Sequence, residues 1–198
     1  MDALVFARNY MMQSQAVKSK LLANAEVMTQ ISLACELVNQ TYENSKKLLI
    51  AGNGGSAADS QHIAAEFVSR FYFDRPGLPA IALTTDTSML TAIGNDYGFE
   101  RLFARQVQAQ GVRGDVLIAI STSGKSKNII AAVEEAKHSG IKTIGLIGEG
   151  GCLGDIVDIP IRVPSSLTPM IQECHICIGH IICAFVEEQI FGELRSNV

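Results

Sequence analysis

The sequence predicts an α/β fold built on a doubly wound parallel sheet, and three observations support this class. Short apolar runs rich in β-branched residues occur five times, at residues 47–51, 79–83, 115–120, 142–147 and 159–163. Helical or loop-like sequence separates each run from the next, and this alternation is typical of a parallel sheet with helices on both faces. The chain has 198 residues, 47% of them hydrophobic, and no Pro/Gly-rich linker, so we expect a single domain over residues 1–198.

The segment before the first strand is predicted to be helical. Residues 3–45 contain neither Pro nor Gly, and Val27, Ile31 and Val38 repeat at helical spacing. The pattern predicts a long helix or a helical pair. We expect residues 1–45 to form an N-terminal helical extension that packs within an oligomer.

The last predicted helix, residues 169–191, is apolar nearly all round. A helix with no polar face must be buried on every side, and in a chain of this size another subunit is the expected cover. The sequence therefore predicts a homo-oligomer whose interface includes this helix. Gln172, His175 and His180 are polar residues that should point inward on this helix, so each is expected to have a polar partner or a ligand.

Composition narrows the classes of partner. The 16 Lys and Arg against 20 Asp and Glu give a net charge of -4, which argues against a nucleic-acid surface and requires local groups to attract any anionic ligand. The N-terminus lacks the layout of a signal peptide, and the C-terminal apolar run is interpreted as too short to span a bilayer. Five scattered Cys imply no disulfide framework. We expect a soluble, cytoplasmic protein with no membrane partner.

The segment 47–70 is predicted to carry the chemistry. Its apolar run ends in three glycines within residues 52–55, which let the backbone turn sharply with its amides exposed. Ser56 is expected to cap the helix that follows. His62 and Glu66 are four residues apart and therefore lie on one face of that helix. An anion bound at the helix N-terminus would place its uncharged end near these two side chains.

A second loop, residues 121–126 (STSGKS), follows a predicted strand and opens a helix predicted over residues 126–139. Its hydroxyls, amides, lysine and helix N-terminus have the composition of a phosphate cradle, although a Ser-rich turn with a helix cap is the simpler interpretation. Because both loops follow parallel strands, they are expected to face one crevice. Asn95 and Asp96 are interpreted as a turn that could also reach it.

The sequence supports two nucleotide-binding interpretations less well than it supports a small phosphorylated ligand. A nucleotide P-loop would need Gly where Ala119 stands. Gly52-x-Gly54-x-x-Ala57 matches a relaxed dinucleotide fingerprint, but the acidic residue that closes the next strand, Asp86, lies further along the chain than usual. A small phosphorylated molecule fits both loops.

Four polar residues could form a site for a divalent metal such as zinc: His62, Glu66, Gln172 and His180. The simpler interpretations are a solvated pair of side chains on one helix and a core histidine with satisfied hydrogen bonds. The Cys pair at residues 174–177 lies inside the apolar helix with no second pair, so it is interpreted as small core residues.

The spacing of two of these residues bears on how the site is assembled. Gln172 and His180 are eight residues apart, about 12 Å in rise along an unbroken helix, so one metal would struggle to reach both. Either the helix begins after Gln172, or the pocket is assembled from more than one subunit. We predict that the phosphate loop of one chain works with His180 of a neighbour.

Four stretches carry a family resemblance when they are taken together: GNGGSAADSQHIAAE, ALTTDTSMLTAIGNDYGFE, GDVLIAISTSGKSKN and IQECH....H. The chain resembles, from about residue 25 to about residue 190, the sedoheptulose 7-phosphate isomerases, also called phosphoheptose isomerases, of the sugar isomerase (SIS) domain superfamily. The joint occurrence of the four candidate metal ligands is more specific than any single stretch.

The resemblance implies a five-stranded parallel sheet between helices, a homotetramer, a cytoplasmic location and one zinc ion per subunit. The implied metal ligands are His62, Glu66, Gln172 and His180. The implied substrate-binding residues are Asn53, Gly54, Gly55, Ser56, Glu66, Asn95, Asp96, Ser121, Thr122, Ser123, Ser126 and Gln172.

The resemblance also implies an activity, the conversion of sedoheptulose 7-phosphate to D-glycero-D-manno-heptose 7-phosphate for lipopolysaccharide or other surface sugars. Such an aldose-ketose isomerase moves a proton between neighbouring carbons through an enediol. Glu66 is the predicted base and His180 the predicted acid, and a metal there would polarise the carbonyl. The alternative is a non-catalytic SIS-domain protein that binds the replication initiator, a branch that keeps the loops but lacks the acid and the second histidine.

Overall fold

The computed structural model describes residues 1–197 and contains one five-stranded parallel sheet. The strands are β1 (Leu48–Gly52), β2 (Ala80–Ala82), β3 (Val116–Ser121), β4 (Lys142–Ile147) and β5 (Ile159–Arg162). Their order across the sheet is β2-β1-β3-β4-β5, and every neighbouring pair is parallel. The predicted fold class and all five predicted strands are confirmed.

Helices cover both faces of this sheet. They are α1 (Ala3–Ala23), α2 (Ala25–Glu43), α3 (Gly55–Val68), α4 (Thr87–Tyr97), α5 (Leu102–Gln110), α6 (Lys127–His138), α7 (Leu153–Ile156) and α8 (Thr168–Phe191). Side chains of β1 alternate between two cores: Leu48 and Ile50 pack with α2, α3 and α8, whereas Leu49 and Ala51 pack with α4 to α7. All four are fully buried, as expected for a parallel strand covered on both faces.

The N-terminal segment is a helical pair. Asn24 separates α1 from α2, its side chain accepts a hydrogen bond from the Val27 backbone N–H at 3.2 Å, and the two helices are bent by 79°. A capping Asn starts a new helix, which explains why a segment without Gly or Pro still breaks. α2 buries one face in the core beside α8, whereas α1 buries only Ser14, Val17 and Leu21.

The last helix corrects one expectation and supplies part of its own cover. The helical segment that begins with α8, Thr168–Arg195, is long and apolar enough for a membrane span, so the interpretation of the C-terminal apolar run as too short is wrong. Half of its most apolar stretch is buried within this fold, where Ile178, Ile182 and Val186 join the core. Cys177 and Ile181 on α8 are exposed, so a single chain does not cover the helix all round.

The strand order reverses between β1 and β3. From β1 the chain moves outward to β2 and then returns to place β3 on the other side of β1. The connections that leave the carboxyl ends of two such strands diverge and open a crevice, which is where α/β sheets of this kind bind ligands. Residues 52–55 and 121–126, the two candidate phosphate loops, both begin at this point.

Candidate functional site

The β1–α3 loop presents backbone amides. Gly54 has a φ of +57°, in the left-handed region that disfavours a side chain. Gly54 is also the N-cap of α3 and no side chain caps this helix, so the prediction that Ser56 caps it is wrong. Ser56 is buried in the first turn, where its carbonyl accepts a hydrogen bond from the Ser60 hydroxyl at 2.8 Å. The Ser56 and Ala57 amides donate to the Asn53 and Gly54 carbonyls, each at 3.0 Å. No side chain caps this helix, so the amide of its first residue, Gly55, can serve an anion.

The β3–α6 loop repeats this arrangement. The Ser121 hydroxyl, at the end of β3, lies 3.0 Å from the hydroxyl of Ser126, the N-cap residue of α6. The Ser126 side chain makes no cap hydrogen bond, so this second helix also begins without a side-chain acceptor. Gly124 has a φ of +63°, and a Cβ there would lie 2.3 Å from the Gly150 carbonyl oxygen, so only Gly fits. The backbone of this loop is therefore closely constrained.

The middle of the same loop is more open. Thr122 is half-buried and Ser123 is exposed, and the Ser123 hydroxyl accepts a hydrogen bond from the Lys125 backbone N–H at 3.2 Å. Lys127, at the start of α6, donates to Glu100 at 2.8 Å. Lys125 makes no ion pair with any residue that the structure describes, which leaves its ammonium group available to an anion.

A reciprocal pair of amides joins the two loops. The Asn53 Nδ2 donates to Asn128 Oδ1 at 2.9 Å, and the Asn128 Nδ2 donates back to Asn53 Oδ1 at 2.9 Å. Asn53 belongs to the first loop, and Asn128 lies in the first turn of α6, where it is buried. The amide pair fixes the position of one loop relative to the other. Asn128 was not among the predicted site residues.

Asn95 and Asp96 lie on a helix, so their interpretation as a turn is wrong. They belong to the last turn of α4, which Asp86 caps by accepting a hydrogen bond from the Met89 backbone N–H at 2.8 Å. Both residues are exposed, and the Asn95 amide donates to the Asp96 carboxylate at 2.8 Å. The same helix borders a cavity of about 340 Å³ that reaches residues 52–54 of the first loop.

Three of the predicted metal ligands meet between α3 and α8. The Nε2 atoms of His62 and His180 are 2.8 Å apart, and His62 Nε2 is 3.3 Å from Glu66 Oε1. One ligand atom from each of the three residues lies within 4.8 Å of the other two. Tetrahedral zinc with bonds of about 2.0–2.1 Å separates its ligand atoms by about 3.3 Å, which the distance from His62 to Glu66 matches. The two imidazole nitrogens, at 2.8 Å, would have to move apart by about 0.5 Å to bind one ion.

A glycine on α8 allows this approach of the two helices. A Cβ at Gly179 would lie 2.6 Å from Cδ1 and 2.8 Å from Cγ1 of Ile63, which is itself fully buried. Gly179 and Ile63 directly neighbour His180 and His62 in the sequence. The close contact of α3 with α8 at this point therefore sets the distance between the two imidazoles.

We expect a Gly179→Val substitution to push α8 away from α3 and to separate His180 from His62. Overpacking of this kind costs about 1–3 kcal/mol of stability, and loss of the imidazole geometry should lower kcat by at least about 10-fold. Urea unfolding and a turnover assay measure the two effects. Cys177→Val, at an exposed position of the same helix, is the control, and equal results for both variants would contradict the expectation.

Gln172 lies at the other end of α8. The helix begins at Thr168 and is unbroken, so the alternative in which it begins after Gln172 is excluded. A Cβ added to Gly55 would lie 2.2 Å from the Gln172 Nε2, which places this amide against the first residue of α3. The position suits a contact to a ligand in the phosphate loop. Its role as a fourth metal ligand stays a prediction.

His175 occupies a fully buried position on α8. Neither ring nitrogen reaches a hydrogen-bond partner among the described residues. Burial lowers the pKa of His175 to about 4. The imidazole is therefore neutral in the folded protein at pH 7 and serves as a core side chain.

This pKa predicts a dependence of stability on pH. Between pH 6.5, the ordinary pKa of His, and pH 4 the unfolded chain binds a proton that the folded chain excludes, so stability is lost as the pH falls through this window. From pH 7 to pH 5 the loss should be about 2 kcal/mol larger for the wild type than for His175→Phe. Urea unfolding at both pH values measures it. Equal losses would mean that His175 does not titrate in this way.

A family model and two relatives of known name match this chain over most of its length. A family model described as the SIS domain matches residues 9–148. The chain is 60% identical over 189 residues to "Phosphoheptose isomerase 2" of Campylobacter jejuni, with 95% of this chain and 94% of the relative covered. It is 58% identical over 187 residues to the phosphoheptose isomerase of Aneurinibacillus thermoaerophilus, with 94% of each covered.

Solved structures agree with these matches. A phosphoheptose isomerase from Francisella tularensis superposes with a TM-score of 0.90 at 41% identity, over 95% of this chain and 100% of that chain. The phosphoheptose isomerase from Neisseria gonorrhoeae gives a TM-score of 0.87 at 41% identity, over 94% of this chain and 100% of that chain. The chain therefore belongs to the phosphoheptose isomerase family of SIS-domain proteins.

Proposed function

We propose that this chain is an aldose-ketose isomerase that converts sedoheptulose 7-phosphate to D-glycero-D-manno-heptose 7-phosphate. The observation that carries the proposal is the meeting of Glu66 with His62 and His180 between α3 and α8. A carboxylate and imidazoles within a few ångströms of each other supply the base and the acid that proton transfer between carbons requires. The relatives named phosphoheptose isomerase, at 60% and 58% identity, support the substrate class.

The phosphate end of the substrate fits the two loops at the strand-order reversal. The amides at the start of α3 and α6 carry the positive ends of two helix dipoles and have no side-chain cap. Hydroxyls of Ser121, Ser123 and Ser126 add donors, and the net charge of -4 makes such local groups necessary. Asn95, Asp96 and Gln172 are assigned to the sugar hydroxyls.

The reaction moves one proton between the two carbons and one between their oxygens, and it changes no overall oxidation state. Glu66 takes the proton from C1 of the ketose and returns it to C2, while His180 moves a proton between the two oxygens. The carbonyl shifts from C2 to C1 through the enediol, so atoms and electrons balance without a co-reactant.

We further propose that Zn²⁺ binds at this site. His62, Glu66 and His180 would hold it, and Gln172 is the predicted fourth ligand, from the same chain or from a neighbour. When bound, the ion would act as a Lewis acid toward the substrate oxygens. A Glu that binds a metal is a weaker base, so the side chain of Glu66 must leave one oxygen free for the proton.

The proposal is tested by following sedoheptulose 7-phosphate with the purified, metal-replete protein. Consumption of the ketose and growth of the aldose phosphate, measured by ¹H and ³¹P NMR, is the expected result. A protein that binds the sugar phosphate without turnover would instead be a binding module. The non-catalytic branch was expected to lack the acid and the second histidine, whereas this chain has both Glu66 and His180.

Removal of the metal should lower activity and stability together. An ion held by residues of both α3 and α8 ties the two helices, so its loss lowers the melting temperature by about 5 °C or more as well as the rate. Dialysis against a chelator, followed by calorimetry and the NMR assay, measures both effects, and added Zn²⁺ should restore them. Unchanged activity in metal-free protein would mean that the three side chains pack together as polar residues and do not hold a metal that the reaction needs.

We also propose a cytoplasmic homotetramer that supplies heptose for lipopolysaccharide or another surface sugar. The support for assembly is the apolar surface that one chain leaves open. α1 exposes Leu4, Phe6, Met11, Met12 and Leu22, and α8 exposes Ile181. Apolar surface on two helices of one chain is typical of subunit interfaces. Sedimentation velocity at several protein concentrations measures the state of assembly.

A further inference from the structure

A buried ion pair stands beside the cluster of His62, Glu66 and His180. Arg75 lies in the segment after α3, and Glu187 lies two turns after His180 on α8. The Nε of Arg75 is 3.0 Å from Glu187 Oε1, and each side chain is only 1% exposed. The proposed reaction uses neither residue.

The guanidinium of Arg75 closes the end of α3. Its NH1 donates to the Phe67 carbonyl at 2.7 Å, and its NH2 donates to the Glu66 carbonyl at 2.8 Å. These carbonyls belong to the last turn of the helix, where the helix itself supplies no donors and a positive charge is favourable. Arg75 therefore holds the backbone of the residue that the reaction uses as its base.

The carboxylate of Glu187 holds the segment that follows α3. It accepts hydrogen bonds from the backbone N–H groups of Phe71 at 2.7 Å and Tyr72 at 2.6 Å. The ring of Phe71 in turn packs on the ring of His180, with 5.4 Å between centroids and 46° between planes. The same carboxylate that binds Arg75 therefore also places an aromatic ring against His180.

We propose that Arg75 and Glu187 are positioning residues that fix Glu66 and His180 relative to each other. The pair joins the two elements that carry the site, because Arg75 binds the end of α3 and Glu187 belongs to α8. This inference rests on the proposed function, because that function gives Glu66 and His180 their catalytic roles. The geometric claim, that the pair sets the relation of α3 to α8, can be measured without turnover.

If the pair had a purely structural role, removing it without loss of the fold would leave the geometry of the cluster unchanged. Replacing both members of a buried ion pair removes the charges together and leaves no unpaired charge, so the fold can survive. We choose Arg75→Met with Glu187→Gln, since Gln still offers an oxygen to the backbone of the segment after α3. Arg75→Lys is the second variant; it keeps the charge but cannot hold Glu187 and both helix carbonyls at once.

The control is a second pair with a buried carboxylate, Lys47 with Asp115, whose side chains are 22% and 1% exposed. Their charged atoms are 2.6 Å apart, and the Asp115 carboxylate also accepts backbone hydrogen bonds, from Lys47 and Val112. None of these bonds reaches α3 or α8. Lys47→Met with Asp115→Asn therefore removes the charges of such a pair while keeping an oxygen for the backbone donors, at a place that does not support the site.

Three measurements on folded variants test the inference: the ring signals of His62 and His180 in ¹H-¹⁵N NMR spectra of metal-free protein, the affinity for Co²⁺ followed by visible absorption, and kcat with KM. In the double variant we expect shifted ring signals, at least 10-fold weaker Co²⁺ binding and about 10-fold lower kcat, with KM within about twofold. Arg75→Lys should fall between this variant and the wild type. The control should match the wild type in all three.

The outcomes separate this inference from the proposed function. Variants at Arg75 that keep the ring signals, the Co²⁺ affinity and kcat of the control would overturn the positioning role. If the double variant fails to fold, Arg75→Lys decides by the same three measurements. If the wild type does not isomerise the heptose phosphate but the ring signals and Co²⁺ affinity still respond to Arg75, the proposed function fails and the positioning role stands.

Discussion

Glu66→Gln is expected to lower kcat by about 10²–10⁴-fold while the fold stays intact. The substitution keeps the volume of the side chain but removes the basic oxygen, and general base catalysis contributes an effect of this size. Glu66 is half-buried and its carboxylate is 3.3 Å from His62 Nε2, so the replacement amide has room and a polar neighbour. The NMR turnover assay measures the rate, and circular dichroism measures the fold.

The control for this variant is Glu188→Gln. Glu188 lies on the exposed side of α8, where it pairs with Arg195 at 3.1 Å, and its loss should leave kcat unchanged. Metal content must be measured in both proteins, because Glu66 is also a predicted ligand. A Glu66→Gln protein that keeps its metal and a near-normal rate would remove Glu66 from the proposed chemistry.

Mixing two inactive variants is expected to restore activity if one site uses two chains. Within one chain His62 lies about 10 Å along α3 from the loop at residues 52–55, because it follows Gly55 by seven residues. Ser123→Asp adds a charge that repels phosphate, and His180→Ala removes the acid. In a random mixed oligomer about a quarter of the sites would combine a sound loop with a sound histidine.

The mixture is prepared by co-expression or by refolding both variants together, and mass spectrometry measures the yield of mixed oligomers. Activity should rise from near zero toward about a quarter of the wild-type value, whereas each variant mixed with itself should stay inactive. Mixed oligomers in good yield with no activity would mean that each chain uses its own loop and its own histidine.

The strands and the long helices could be predicted because their signals are local. Each strand is a short apolar run, and the bounds predicted from these runs lie within one residue of the observed ones. The interpretation of Asn95 and Asp96 failed for a similarly local reason. Gly94 and Gly98 flank them and weaken the helical pattern, whereas the capping of α4 by Asp86 outweighs that weakness.

The residues that support the site carried no such signal. Glu66 and His62 could be paired from their spacing, but Arg75 binds the α3 carbonyls from outside the helix, and Glu187 meets it from 112 residues further along the chain. Asn128 was missed because its partner, Asn53, belongs to a different βα unit. Tertiary contacts of this kind leave no periodicity in a single sequence.

The amide pair between Asn53 and Asn128 bears on how this protein would tell one sugar from another. Because the pair joins the two loops through side chains of the protein itself, a phosphate would meet a rigid binding site, and little ordering entropy would be lost on binding. Phosphorylated sugars of different lengths should then gain a similar free energy from this phosphate site. The protein would discriminate among them at the far end of the carbon chain, because the distance from the phosphate site to Glu66 fixes the chain length that brings the reacting carbons to the base.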